Sequence, residues 1–118
     1  MRILDVDELA PADAAAITAH LIPGEVVHAA FRSPSAAVLF TERRILHIQR
    51  EALLSEKVET SSYSYLAIRH FSLVEASDGE TRAALRVWLG AEPNPLHLRA
   101  NPGADFALVQ RLLASKLA

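Results

Sequence analysis

Five histidines, His20, His28, His47, His70 and His97, are the residues best able to hold a metal or move a proton. None stands four residues from another on a helical stretch, and the chain has no cysteine to complete a thiolate site. His47 and His97 alternate with Leu46 and Leu98, so both are expected to point outward from strands. His28 has the spacing to neighbour either of them across a sheet, a pairing that one sequence leaves open. Carboxylates occur in pairs at Asp5/Asp7 and Asp78/Glu80, on expected termini or loops, where exposure keeps a carboxyl group ordinary and unsuited to acid–base work. Serine, histidine and aspartate are all present, but no Gly-x-Ser-x-Gly elbow positions a nucleophile. Gly24, Gly79, Gly90 and Gly103 are scattered and read as turns or helix starts, not as a phosphate-cradling loop. No catalytic residue, cofactor or metal ligand is therefore expected.

The balance of charge restricts partners further. The net charge is −2 with both signs mixed, which argues against nucleic acid, whose binding rests on a basic surface. Charge is uneven along the chain. Asp5, Asp7, Glu8, Asp13 and Glu25 face only Arg2 in the front segment. Arg82, Arg86, Arg99, Arg111 and Lys116 outnumber Glu92 and Asp105 in the rear. Front and rear are free to pair within a subunit, pair between neighbours, or stay solvated. Apolar runs fall far short of the roughly 20 residues that span a bilayer, and the Met-Arg-Ile-Leu start is too short for a secretory signal. A soluble, cytoplasmic protein is expected.

The elements that would carry these residues follow from periodicity. At 118 residues, one domain over 1–118 is expected, with 51% apolar residues to build its core. Residues 1–23 are read as an N-terminal helical extension. Pro11 and Asp13 suit a first helical turn, Ala-rich sequence runs on to Leu21 with Ile17 on the same face, and Pro23-Gly24 stops it. This short helix should dock on a surface, since it has few large apolar residues. Residues 24–100 hold seven β-rich runs. Ser33-Pro34-Ser35 and Thr41-Glu42 turn between the first three, and Leu53-Leu54 tips the next loop. Lys57 to Tyr63 is polar, as suits an edge. Leu66 to Ala76 shifts parity, which signals a bulge or corner. Ser77-Asp78-Gly79-Glu80 is a hairpin turn, and alternation resumes at Leu85, Val87 and Leu89 and at Leu96 and Leu98. Over 103–118, Phe106, Val109, Leu113 and Leu117 recur at helical spacing with Leu112 beside them. Such a stripe must cover something apolar, and the mouth of the strand layer is the candidate of suitable size. The fold class is thus mainly β with a capping helix.

Val38-Leu39-Phe40-Thr41-Glu42-Arg43-Arg44-Ile45-Leu46 resembles the second and third strands of the bacterial pleckstrin-homology-like (PH-like) domain family, formerly a domain of unknown function. Pro23-Gly24-Glu25-Val26-Val27, Tyr65-Leu66-Ala67-Ile68 and Leu85-Arg86-Val87-Trp88-Leu89 are similar to further pieces of it, in order along nearly the whole chain. Pro34-Ser35 and the loop Glu51-Ala52-Leu53-Leu54-Ser55 depart from the family pattern, although Lys57 still fits. The resemblance implies a PH-like seven-stranded barrel or sandwich closed by a C-terminal α-helix, ring-shaped homo-oligomers and no established activity.

Eukaryotic pleckstrin-homology domains bind phosphoinositides with basic residues around the loop joining their first two strands. Here that loop offers Arg32, with Arg43, Arg44 and Arg50 nearby and Glu42 and Glu51 flanking them. One arginine in the loop does not neutralise a multiply charged headgroup, so membrane lipid stays an unsupported alternative. Trp88 opposes Leu85, Val87 and Leu89, with Arg86 on its own side, and Ile45 opposes Leu46 and Ile48. Trp88, Ile45 and Arg86 are therefore the expected interface with a second copy or with a protein or peptide partner, unless the N-terminal helix covers Trp88. The reading is a non-enzymatic, homo-oligomeric interaction or scaffold module. A peripheral membrane adaptor is the alternative, and a small enzyme using a barrel-mouth pocket is the remote one.

Overall fold

A computed structural model describes residues 3–16, 18–51, 57–75 and 82–117. Their order is β1 (Ile3–Leu9), α1 (Pro11–Ala16), β2 (Val27–Arg32), β3 (Ala36–Thr41), β4 (Arg44–Glu51), β5 (Lys57–Ser64), a 3-10 turn (Tyr65–Ala67), β6 (Ile68–Val74), β7 (Ala84–Leu89), β8 (Leu96–Ala100) and α2 (Ala107–Leu117). The strands form one curled sheet in the order β5-β4-β3-β2-β1-β8-β7-β6. The seven expected strands are all present, as β2 to β8.

The eighth strand corrects the helical extension expected over 1–23. Residues Ile3–Leu9 form β1, antiparallel to β2 and parallel to β8, with Val6 opposite Ala100. This strand joins the two halves of the sheet into one hydrogen-bonded ladder. Leu4 and Val6 turn into the core while Asp5 and Asp7 turn outward. The helix shrinks to Pro11–Ala16, because the backbone of His20 turns back onto the Thr18 hydroxyl instead of continuing the helical ladder. Gly24, at φ +83°, then makes the turn into β2 in a conformation that side chains resist. Ile17, Leu53-Leu54 and Ser77-Asp78-Gly79-Glu80 lie outside the described residues.

The interior of the curl is a single apolar cluster. Phe31, Phe40, Ile45, Leu85, Val87 and Leu98 come from the strands, and Phe106, Val109 and Leu113 from α2. Phe31 meets Phe40 edge-on at 6.1 Å and Phe106 at 5.0 Å. The helix is thus the stopper its stripe called for, packed against β2, β6 and the 3-10 turn. Its last leucine is the exception: Leu117 is 46% exposed, past the rim of the sheet. The Asp105 side chain accepts from the Ala107 N–H, and Glu8 of β1 accepts from the Asp105 N–H, so the first strand also anchors the last helix. The expected parity shift falls early in β6, between Ile68 and His70.

A smaller apolar cluster sits on the outer face. Ala30, Ala37, Leu39, Leu46 and Ile48 are covered there by Ala14, Leu9 and Leu21. This arrangement reverses the parity assigned to β4. Ile45 is 0% exposed and faces the main core, while Leu46 and Ile48 face the strap formed by α1 and the segment after it. Ile45 is accordingly no interface residue. Both faces of β3 and β4 are buried, so alternation there does not distinguish inside from outside.

Candidate interaction surface

The strap ends in a part-buried ion pair. Arg44 donates from Nε and Nη2 to the Glu25 carboxylate at 3.0 and 2.9 Å, and from Nη2 to the His20 carbonyl at 2.7 Å. The Thr41 hydroxyl and the Ile22 N–H donate to the same carboxylate at 2.7 and 3.0 Å. The Arg44 guanidinium, helped by those donors, holds the Glu25 carboxyl down at about 2 against the desolvation that pushes it up. Nearby, the Tyr65 hydroxyl donates to the Thr41 carbonyl, and burial raises the Tyr65 phenol above its ordinary range. Lys116 of α2 lies 5.3 Å over the Tyr65 ring and donates to the Glu42 carbonyl at 2.7 Å. These contacts bind strap, β3–β4 turn and helix end into one corner. Arg44 is thereby engaged by Glu25, and Arg43 lies 3.6 Å from Glu42.

The outer face of β6, β7, β8 and β1 is bare by comparison. The strap lies over the other half of the sheet, so α1 does not cover Trp88. His70 does: the two rings stack at 4.3 Å with planes 22° apart, and Trp88 stays half-buried. Arg86 sits on the same face, in register with Ser72 on β6 and His97 on β8. His97 points outward as expected, and burial together with the charges of Arg86 and Arg99 lowers its pKa. Further along, Arg99 donates to both Asp5 oxygens at 2.6 and 3.1 Å, and Arg82 joins at 2.8 Å. The hydrogen bonds from Arg99, with the Arg82 charge, lower the Asp5 pKa. At Asp5 the acidic front and the basic rear therefore meet within one subunit. Asp5 is a paired strand residue, not part of a free terminal carboxylate pair.

The histidines do not converge. His20 and His28 are exposed, and among the described residues no cluster of metal-ligating side chains forms. His47 corrects the expectation that it points outward. It shares the inward parity of Ile45, is 9% exposed, and has a buried Nε2 without a partner among the described residues. Burial lowers its pKa, opposed by the charge of Glu59.

A hollow of about 140 Å³ opens at the β2–β3 turn, floored by Ala36, Ala37 and Ile48 and flanked by Arg32, Ser33 and Arg50. Small residues leave the space, and β2 and β4, two strand spacings apart, bring the arginines to its sides. The sequence offers Arg32 in the loop with Arg50 nearby. What it did not show is that Ala37 and Ile48 are neighbours in register between them. The same limit hid His70 and Ser72 as neighbours of Trp88 and Arg86. Their i, i+2 spacing in a strand was visible, but their pairing was not.

A curled sheet stoppered by a C-terminal helix is a fold this chain shares with solved pleckstrin-homology domains. The family model described as the bacterial PH domain matches residues 3–117, and the chain belongs to that family. The uncharacterized protein YjqA of Bacillus subtilis is 27% identical over 96 residues, which span 80% of this chain and 77% of YjqA. A DUF1696 family protein with a pleckstrin-homology domain from Shewanella loihica superposes with a TM-score of 0.80. It is 23% identical, and the match covers 98% of this chain and 99% of that one. A pleckstrin homology domain from Shewanella amazonensis gives 0.68 at 26% identity, covering 89% of this chain and 96% of that one.

Proposed function

We propose that the protein is a non-enzymatic interaction module of the cytoplasm, which assembles with copies of itself into a ring and presents repeated faces to a protein or peptide partner. One observation carries the assembly: the sheet ends in two strands, β5 and β6, each with a single partner among the described residues. A free edge is a template for another chain. Two different edges on one subunit favour head-to-tail pairing, which closes into a ring when the rotation allows. The Trp88 and Arg86 face lies beside the β6 edge and would repeat around such a ring. Against a barrel-mouth enzyme stand the titratable groups themselves: His47 is sealed in the core, and Asp5 is held by two guanidiniums. Light scattering coupled to size-exclusion chromatography tests the assembly. The expected mass is a multiple of 12.9 kDa, and a monomeric mass at micromolar concentration removes the ring.

A second reading, a peripheral membrane adaptor, is favoured by the Arg32–Arg50 hollow. Neither guanidinium meets a carboxylate among the described residues, and a ring would multiply weak headgroup contacts. Sedimentation with vesicles of zwitterionic and of anionic lipid decides it. Retention only on anionic vesicles, lost in Arg32→Gln/Arg50→Gln, supports the adaptor, and equal retention on both excludes it.

A further inference from the structure

Among the described residues, the outer face of β6–β8 holds one charge that no carboxylate accounts for. Arg86 is half-buried in the middle of β7, and among the described residues no carboxylate pairs with it, although the chain is acidic overall at net −2. The two other arginines on this face, Arg82 and Arg99, are both engaged by Asp5. In register beside Arg86 is Ser72, whose hydroxyl oxygen is buried without a hydrogen-bond partner among the described residues. A buried hydroxyl left unpaired is costly, and a group completing the site recovers that cost. On the other side His97 is in register, and beyond it the exposed Ile3. One row away, the Trp88–His70 stack forms an aromatic wall. The row thus offers donors without an acceptor, next to a flat apolar surface.

We propose that the outer face of β6–β8 binds an extended acidic segment of a partner protein, with a carboxylate seated on Arg86 and the Ser72 hydroxyl and an apolar neighbour laid against Trp88. The inference rests on reading the protein as an interaction module, and it does not require the ring. A carboxylate matches a guanidinium with two parallel hydrogen bonds, and arginine and tryptophan are the side chains that dominate such contacts. A nucleic acid fits less well, because a polyanion needs a track of free cations. The acidic segment needs one such cation.

Trp88 is the only tryptophan of the chain, so its emission reports directly on this face. The full chain is titrated with a short glutamate-rich peptide carrying a central leucine, with the same peptide bearing lysine for glutamate, and with oligothymidylate. The glutamate peptide should shift the emission saturably, and affinity should fall at least about tenfold in Arg86→Gln and further with added salt. Circular dichroism confirms that the variant is folded. Should it not be, Ser72→Ala is the second probe, with an expected loss of about threefold or more. The proposal is overturned by no saturable change, by wild-type affinity in the folded variant, or by tighter binding of the lysine peptide or the oligonucleotide. A monomeric mass would remove the ring while leaving this titration's outcome intact, so the two readings fail separately.

Discussion

Glu25 shows how much one side chain organises here. Its carboxylate, with a side chain closed to solvent, gathers Arg44, Thr41 and the Ile22 N–H, and so ties the strap to the β3–β4 turn. The pKa of about 2 lies below the ordinary carboxyl value of 4.5. The stability it confers is therefore complete above pH 4.5 and is lost as pH falls from there toward 2. Glu25→Ala should cost about 3 kcal/mol at neutral pH, because it strands the Arg44 charge, and should flatten this acid limb in a denaturation series. His47 adds to the acid loss, beginning at a higher pH. Burial depresses its pKa, so below its ordinary value near 6.5 the unfolded chain takes up a proton that the folded one resists, and stability falls with pH. His47→Leu should remove part of that slope and raise neutral-pH stability by about 1 kcal/mol, since the unpaired Nε2 goes with it. A steeper slope in the variant would refute this account.

Between elements, the decisive contacts are those of β1 and α2. Val6 lies in the main core opposite Ala100, whereas Asp5 on the other face is partly exposed despite its two arginines. Val6→Ala should thus cost about 2 kcal/mol and Asp5→Asn less than about 1, since solvent screens the exposed pair. The same contrast separates the ends of α2. Leu113→Ala opens a cavity under the helix and should cost about 2–5 kcal/mol, while Leu117→Ala at the exposed end should cost less than about 1. Urea denaturation of the four variants checks both pairs. Equal losses at positions 113 and 117 would mean that α2 does not sit in the mouth of the sheet.

For the molecule as a whole, assembly turns on β5 and β6, each with a single partner among the described residues. In an antiparallel ladder successive N–H groups point alternately at the partner and at the free side. Of Thr60→Pro and Ser61→Pro in β5, one therefore breaks a bond to β4 and the other removes only an edge donor. The second should keep near-normal thermal stability and lose the assembled mass. If both retain the wild-type mass, β5 is not an assembly edge.

The chain determined by itself whatever depends on neighbours along it. Turn residues at Ser33-Pro34-Ser35, alternation in β7 and β8, the polar run of β5 and the apolar stripe of α2 were all legible, because each answers to a local period or a backbone requirement. Tertiary structure alone decided the rest. β1 is a strand because β8, some ninety residues on, offers it a ladder, and its acidic residues obscured the pattern that would have announced it. Ile45 faces inward because Leu46 and Ile48, on the opposite face of its strand, join an outer apolar cluster with Ala14 and Leu21, which no count along β4 could reveal. Arg86, Ser72 and His97 became one surface only when three strands aligned. Periodicity says that a side chain faces one of two sides, while long-range pairing and covering layers decide what waits there.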